Sequence, residues 1–429
     1  MLIEFSVSNY RSIRERQTLS MVAAPRLKKG NNVFAPNTLG EKLPSLLKVV
    51  AIYGPNASGK SNLVRALGTI ARFANLTPDT KARQLPVSSF RFDPTLVDKP
   101  SRFEIHFIQG GQRYSFELAA DRHRVIEEKL IAFPRGTETL LYSRTYSGEV
   151  DIYTFGESLE GGDSVHQAWS NLTGPQVLFV AQAVANSKEE LKQLRIPFSW
   201  LSKGMFATEH SMGDFRRAAE RLISSTDWYG SGVSDLLRDI DIPVAEIKSR
   251  VIDTISSDII RESLSSPPLA PKKIETILTH ETKLGRAEFD IEEESEGTKN
   301  LIGFSLPWFL VGATIAPAPP ADGVRTLPNG GVLVVDEIDS SLHPKIVEAL
   351  VARFLSKKDA AQLIFSTHDT HLMDTKLLRR DQYWLTERDA NGATQLRSIH
   401  DFKGRETEDI EKRYYEGRYR ALPILSESF

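Results

Sequence analysis

The chain has 429 residues, no cysteine, and 54 basic against 56 acidic side chains, a formal net charge of −2. At roughly 150 residues per domain this is room for about three units, each able to bury an ordinary core. The lack of cysteine excludes a disulfide scaffold, a thiol nucleophile and a thiolate-held zinc or iron–sulfur centre, and a composition 40% hydrophobic and 26% charged excludes a collagenous, coiled-coil or largely disordered chain.

The first segment, Leu2–Ser8, is predicted as a strand, and the opening Met1-Leu2-Ile3-Glu4-Phe5 lacks the basic and apolar regions of a signal peptide. Val49–Tyr53 is an apolar, β-branched run ending at a glycine-rich turn. Beyond it, residues 61–74 carry Leu63, Val64, Leu67, Ile70 and Phe73 at helical spacing. Residues 86–155 change to alternating patterns: 102–108 and 113–118 are joined by Gln109-Gly110-Gly111-Gln112, a hairpin, with further strands near 125–132 and 138–154. An antiparallel sheet is expected there.

Residues 176–262 have a helical pattern, strongest at 189–194, 212–224 and 244–254, and the serine- and proline-rich stretch 263–271 reads as a linker. A second hairpin is expected over 274–280 and 285–291. The apolar run 301–316 contains Pro307 and is shorter than the roughly 20 residues a membrane span needs, so a buried helix is expected and no membrane partner. A strand over 331–335, a helix over 344–354, a strand over 361–366 and a tyrosine- and arginine-rich tail complete the reading. A soluble, cytoplasmic protein is expected.

The strongest chemical signal is Gly54-Pro55-Asn56-Ala57-Ser58-Gly59-Lys60-Ser61, a G-x-x-x-x-G-K-[ST] loop between a strand and a helix. Such a loop turns successive N–H groups inward as an anion nest, with the positive end of the following helix behind it. Lys60 is placed to reach the β- and γ-phosphates of ATP and Ser61 to ligate Mg²⁺. The second signal is Val332-Leu333-Val334-Val335-Asp336-Glu337, an apolar strand ending in two carboxylates. Alone, such a pair is often a helix cap. Beside a phosphate loop, Asp336 is expected to hold Mg²⁺ and Glu337 to act as general base on the attacking water.

A third strand, Leu363-Ile364-Phe365-Ser366-Thr367, ends at His368, and Ser340-Ser341-Leu342-His343-Pro344 lies between the acidic pair and this strand. Upstream, Ser295-Glu296-Gly297-Thr298 opens the apolar helix and reads either as an N-cap or as a phosphate-capping motif. Taken together, these motifs resemble those of the ABC-class ATPases of the SMC, RecF and OLD group. The segment Asn9-Tyr10-Arg11-Ser12-Ile13 is similar to the one that follows that group's first strand. Glu294-Ser295-Glu296-Gly297-Thr298-Lys299, Asp336-Glu337-Ile338-Asp339-Ser340-Ser341-Leu342-His343-Pro344, Arg379-Arg380-Asp381-Gln382-Tyr383-Trp384 and the run 414–423 resemble anti-phage or abortive-infection ATPases of the RloA and AbiL type.

The resemblance implies an α/β fold: an ABC-type P-loop ATPase head with an antiparallel β subdomain and an inserted helical lid. It places the head in 1–175 and 273–429 and the insertion in 176–272. It implies ATP hydrolysis with Lys60, Glu337 and the switch histidine His368. It further implies that Ser295, Gly297 and Thr298 of one subunit cap the γ-phosphate bound by another, hence a homodimer or larger homo-oligomer. The capping motif lacks that class's usual double glycine, and Gln84 or Phe90-Arg91-Phe92 stands where its Q-loop belongs. No heptad run supplies an SMC-like arm and no OLD-type nuclease block is recognisable. Asp369, Thr370, His371 and Asp374 read as a helix start before metal ligands. The leading expectation is a switch that senses phage or DNA stress and controls a separate toxin or nuclease. The alternative is a RecF- or SMC-like DNA-binding ATPase using Arg65, Arg72, Arg83, Lys412, Arg413, Arg418 and Arg420, residues that otherwise form solvated charged faces. A third reading makes the chain itself a nuclease.

Overall fold

The computed structural model describes residues 1–77, 83–208, 215–252, 273–311, 331–405 and 408–422. The chain opens with β1 (Leu2–Ser8) and β2 (Gln17–Ser20), a ribbon of β3 (Val33–Phe34) and β4 (Leu46–Leu47), and β5 (Val49–Tyr53), which runs through the phosphate loop into α1 (Lys60–Ala74). Five strands follow: β6 (Ser101–Gln109), β7 (Gln112–Ala120), β8 (Val125–Phe133), β9 (Thr139–Tyr146) and β10 (Asp151–Phe155). With β1 and β2 they build the expected antiparallel sheet, in the order β10-β9-β8-β7-β6-β1-β2. The β6–β7 turn falls at Gly110 and Gly111, both at positive φ (61° and 76°), as a two-residue hairpin loop requires.

Three helices come next, α2 (Asp163–Leu172), α3 (Phe179–Ala185) and α4 (Arg195–Lys203), then β11 (Met205–Ala207). Residues 189–194, expected as helix, form turns ahead of α4. Helices α5 (Arg216–Ser225) and α6 (Asp227–Asp239) precede an antiparallel sheet of β12 (Val244–Ile252), β13 (Lys273–Thr282) and β14 (Gly285–Asp290). Here 244–252 is a strand where a helix was expected. A β-bulge between Val244 and Glu246 breaks the period-2 alternation, so buried Val244 and Ile247 fall three apart and imitate helical spacing. The linker stretch 263–271 lies outside the described residues.

The apolar helix forms as α7 (Glu296–Val311), followed by β15 (Val332–Val335), α8 (Pro344–Ser356), β16 (Gln362–Ser366), β17 (Tyr383–Arg388), β18 (Thr394–Ser398) and α9 (Ile410–Tyr415). Among the described residues no helix is long and apolar enough to cross a membrane. The second large sheet has the order β11-β15-β16-β5-β17-β18, parallel from β11 to β17. The fold class is the expected α/β.

Two compact units emerge: one of Met1–Glu209, Leu310–Ile338 and Val351–Phe429, the other of His210–Phe309 and Asp339–Leu350. The first holds both large sheets. Its core places Leu63, Val64, Leu67, Ile70 and Phe73 of α1 among Val50, Ile52, Val334 and Ile364 of the parallel sheet and Phe103, Ile105 and Phe116 of the antiparallel one. Trp200 of α4 stacks on Phe107 with ring centroids 4.3 Å apart, which is why residues 176–209 belong to this unit. The second unit carries helices and the β12–β14 sheet, so the division falls at residues other than 176–272 and this unit is not purely helical.

Candidate nucleotide site

In the parallel sheet β16 lies between β5 and β15. Its register pairs Ser366 with Ile52 and Phe365 with Val335. The carboxyl ends of three strands therefore line one edge, the edge where ligands of open α/β sheets bind. Residues 54–61, Asp336-Glu337 and Thr367-His368 leave the sheet there. Chain positions separated by some three hundred residues thus become neighbours through strand order alone.

The phosphate loop has the backbone its sequence demands. Gly54 and Gly59 sit at φ 151° and 106°, and Ala57 also takes a left-handed conformation at φ 61°. A Cβ on Gly54 or on Gly59 would collide with Thr386 or Thr394, respectively. Ser58 and Lys60 are buried, Pro55 and Ser61 half-buried, and Asn56 and Ala57 exposed at the rim. The Lys60 ammonium donates to the carbonyls of Gly54 (2.8 Å) and Pro55 (3.2 Å), so the cation stays at the loop although its stem is buried. α1 begins at Lys60 and directs its N-terminal N–H groups at the loop.

At the end of β15 the Asp336 carboxylate is 5% exposed. Its Oδ1 accepts a 2.6 Å hydrogen bond from the Ser366 hydroxyl, and its N–H donates to Thr208 Oγ1 at 2.9 Å. Glu337 is exposed and held at φ 51°, a backbone conformation that costs a non-glycine residue on the order of 1–3 kcal/mol. Its N–H donates to Ser366 Oγ at 2.8 Å. His368 is exposed at the end of β16, where the Thr367 N–H ties the strand to the Ile52 carbonyl at 3.1 Å. The donor set fits a phosphate chain with its divalent cation: a glycine cradle without room for Cβ atoms, a lysine ammonium, a helix N-terminus and a buried carboxylate.

Ser295, Gly297 and Thr298 lie in the second unit. Ser295 is exposed and caps α7: its Oγ accepts from the Thr298 N–H at 3.1 Å and pairs with Thr298 Oγ1 at 2.9 Å. A Cβ on Gly297 would come within 2.6 Å of the Ser341 backbone carbonyl, so the capping segment and Ser341 pack backbone against backbone with no room for a side chain at 297. Gln84 is exposed in the segment after α1, whereas Phe90 is buried and its N–H is held by Asn9 Oδ1 at 2.9 Å.

Asp369 caps the short helical turn at Thr370–Leu372 by accepting from the His371 N–H at 3.0 Å, as a helix start would, and among the described residues no group of three or more His, Asp or Glu gathers as a metal site. The basic residues considered for DNA are largely engaged. Arg72 donates to the Arg65 carbonyl and Thr69, Arg83 to the Thr77 carbonyl, Arg413 pairs with Glu408 at 2.6 Å and Arg418 with Glu416 at 2.7 Å. Sequence reasoning missed Thr208, Ser366, Thr386 and Thr394. These are buried hydroxyls of types with no motif of their own.

A family model described as "AAA domain, putative AbiEii toxin, Type IV TA system" matches residues 49–374. No match was found among curated proteins. Among solved structures, the SMC head domain from Thermotoga maritima is 14% identical over 92% of this chain and 98% of its own, with a TM-score of 0.41. An SMC head bound to the C-winged helix domain of ScpA is 12% identical over 96% of this chain and 99% of its own, also at 0.41.

Proposed function

The chain belongs to this AAA-domain family, an ATPase family, and we propose that it is an ATP-hydrolysing switch in anti-phage defence that controls a separate toxin or nuclease. The observation that carries the ATPase reading is the convergence of residues 54–61, Asp336-Glu337 and His368 on one edge of the parallel sheet. The family's description, which names a toxin of a type IV toxin–antitoxin system, supports the defence setting.

In this reading the backbone N–H groups of Gly54, Asn56, Ala57, Ser58 and Gly59 that face the loop's interior, with Pro55 shaping the turn and with Lys60 and the α1 N-terminus, bind the phosphates of ATP. Ser61 and Asp336 are the residues that hold Mg²⁺, which when bound neutralises phosphate charge. The Glu337 carboxylate, free at the surface, orients a water and takes its proton. His368 donates to the γ-phosphate from the neighbouring strand, so the two residues flank the same group. Ser295, Gly297 and Thr298 of a second copy close the site, which makes ATP the bond between two subunits and hydrolysis the event that releases them. The effector is held or freed by that cycle. The cytoplasm is its proposed location.

The test is ATPase assay of the purified chain with Lys60→Ala and Glu337→Gln, joined to phage plating of cells carrying the chain with its neighbouring genes. Lys60→Ala abolishes nucleotide binding and protection; Glu337→Gln binds ATP but stops turnover and accumulates a dimer. Full hydrolysis by Glu337→Gln overturns the assignment of the base. Protection that survives Lys60→Ala overturns the ATP-driven switch.

A further inference from the structure

The β17–β18 hairpin grips the phosphate loop through two threonines. Thr386 and Thr394 are 0% and 1% exposed. Thr386 Oγ1 donates to the Tyr53 carbonyl at 3.2 Å and stands 2.5 Å from Ser58 Oγ. A hydroxyl has one proton. Thr386 places its own on Tyr53, so Ser58 is the donor to Thr386. Thr394 Oγ1 donates to the Ser58 carbonyl at 2.9 Å. By the same count Ser12 donates to Thr394 (2.8 Å), and Asn62 Nδ2 donates to Ser12 (2.8 Å).

The result is a relay of one direction. It runs from Asn62 through Ser12 and Thr394 to the Ser58 carbonyl, and from the Ser58 hydroxyl through Thr386 to the Tyr53 carbonyl. It fixes the residue before Gly54, the residue before Gly59 and the first turn of α1. The same two threonines occupy the space a Cβ would need at Gly54 and Gly59. They lie 328 and 336 residues beyond Ser58, with which each bonds.

We propose that Thr386 and Thr394 are positioning residues for nucleotide binding: their hydroxyls hold residues 54–61 in the curvature that receives a phosphate chain. The inference rests on the ATPase reading above. The threonines bond the loop itself. They act through Ser58 and the two glycines, and the hairpin that bears them becomes part of the nucleotide site.

The experiment titrates the full chain with a fluorescent ATP analogue and Mg²⁺, and measures KM and kcat for ATP. Variants are Thr386→Val, Thr394→Val, the hydroxyl-preserving Thr386→Ser and Thr394→Ser, and Thr18→Val as control. Thr18 sits in a hydroxyl pair with Ser6 on the antiparallel sheet. Each valine variant is expected to weaken binding about tenfold, the size of one net hydrogen bond, with a rise in KM larger than any fall in kcat. The serine variants and Thr18→Val bind like the unmodified chain. Should a valine variant fail to fold, Ser12→Ala breaks the relay between Asn62 and Thr394 and is expected to weaken binding in the same way.

Valine variants that fold and bind like the unmodified chain overturn the proposal. So do serine variants that lose as much as the valines, because a retained hydroxyl would then fail to retain binding. If the unmodified chain itself binds no ATP, the ATPase reading falls and this inference with it.

Discussion

Ser366 joins Asp336 by a 2.6 Å hydrogen bond, and the same hydroxyl oxygen accepts the Glu337 N–H at 2.8 Å. One fully buried side chain on β16 thus orients both acidic residues that end β15. Ser366→Ala leaves Asp336 free to rotate and the Glu337 N–H without its acceptor. Loss of such an outer partner costs about 10- to 100-fold in metal affinity or activity. We expect ATPase activity to fall by that factor and its Mg²⁺ requirement to rise, while nucleotide binding without Mg²⁺ stays unchanged. A magnesium titration of steady-state hydrolysis checks this.

The loop's left-handed residues predict opposite outcomes for opposite substitutions. Gly59→Ala places a Cβ onto Thr394 at φ 106° and is expected to abolish ATP binding. Ala57→Gly changes an exposed residue already at φ 61°. Relief of that backbone offsets the added freedom of glycine in the unfolded chain, so stability stays within about 1 kcal/mol and binding is kept. Nucleotide titration and thermal melting of the two variants separate these cases.

The elements of the site were legible in the sequence because each rests on a local pattern. Residues 54–61 need glycine at fixed places, and the apolar strands ending at Asp336 and His368 announce themselves by composition. The alternation of β6–β9 made the antiparallel sheet equally plain. What stayed hidden depends on distant pairing. Thr386 and Thr394 are ordinary strand residues until β17 is laid beside β5, and Ser366 is one more polar residue until β16 enters between β5 and β15. Strand β12 was misread for a local reason, the bulge at Val244–Glu246 that gives a strand a helical spacing of buried residues.

The antiparallel sheet holds a buried charge cluster whose disruption is expected to be costly. Both Glu128 oxygens are engaged, by the Tyr142 hydroxyl (2.6 Å) and by the N–H groups of Phe179 (2.7 Å) and Val180 (3.1 Å) at the start of α3. Burial pushes this carboxyl above its ordinary pKa, and Arg144, whose side chain is 0% exposed, works against that push. Glu128→Gln turns an N–H toward N–H donors and removes the charge facing Arg144. Breaking a buried pair in this way costs about 3–5 kcal/mol, which appears as a lower denaturation midpoint. Nucleotide affinity of the folded fraction is expected to stay unchanged.

Gly297 offers the sharpest test of the two-subunit site. Any side chain there meets the Ser341 carbonyl at 2.6 Å, well inside contact distance, so Gly297→Ala displaces residues 340–342 or the first turn of α7. Both segments belong to the second compact unit, whereas residues 54–61, Asp336 and His368 belong to the first. A subunit carrying Gly297→Ala is therefore expected to bind ATP within about twofold of the unmodified chain, because residues 54–61 keep their own contacts. In the proposed two-subunit site, its damage falls on the surface offered to a second subunit. In the Glu337→Gln background, light scattering during size exclusion reports a doubling of mass with ATP. Adding Gly297→Ala is expected to return the mass to that of one subunit. A doubled mass that persists with both changes removes Gly297 and its neighbours Ser295 and Thr298 from the shared site, and the ATP-linked dimer then needs another seam.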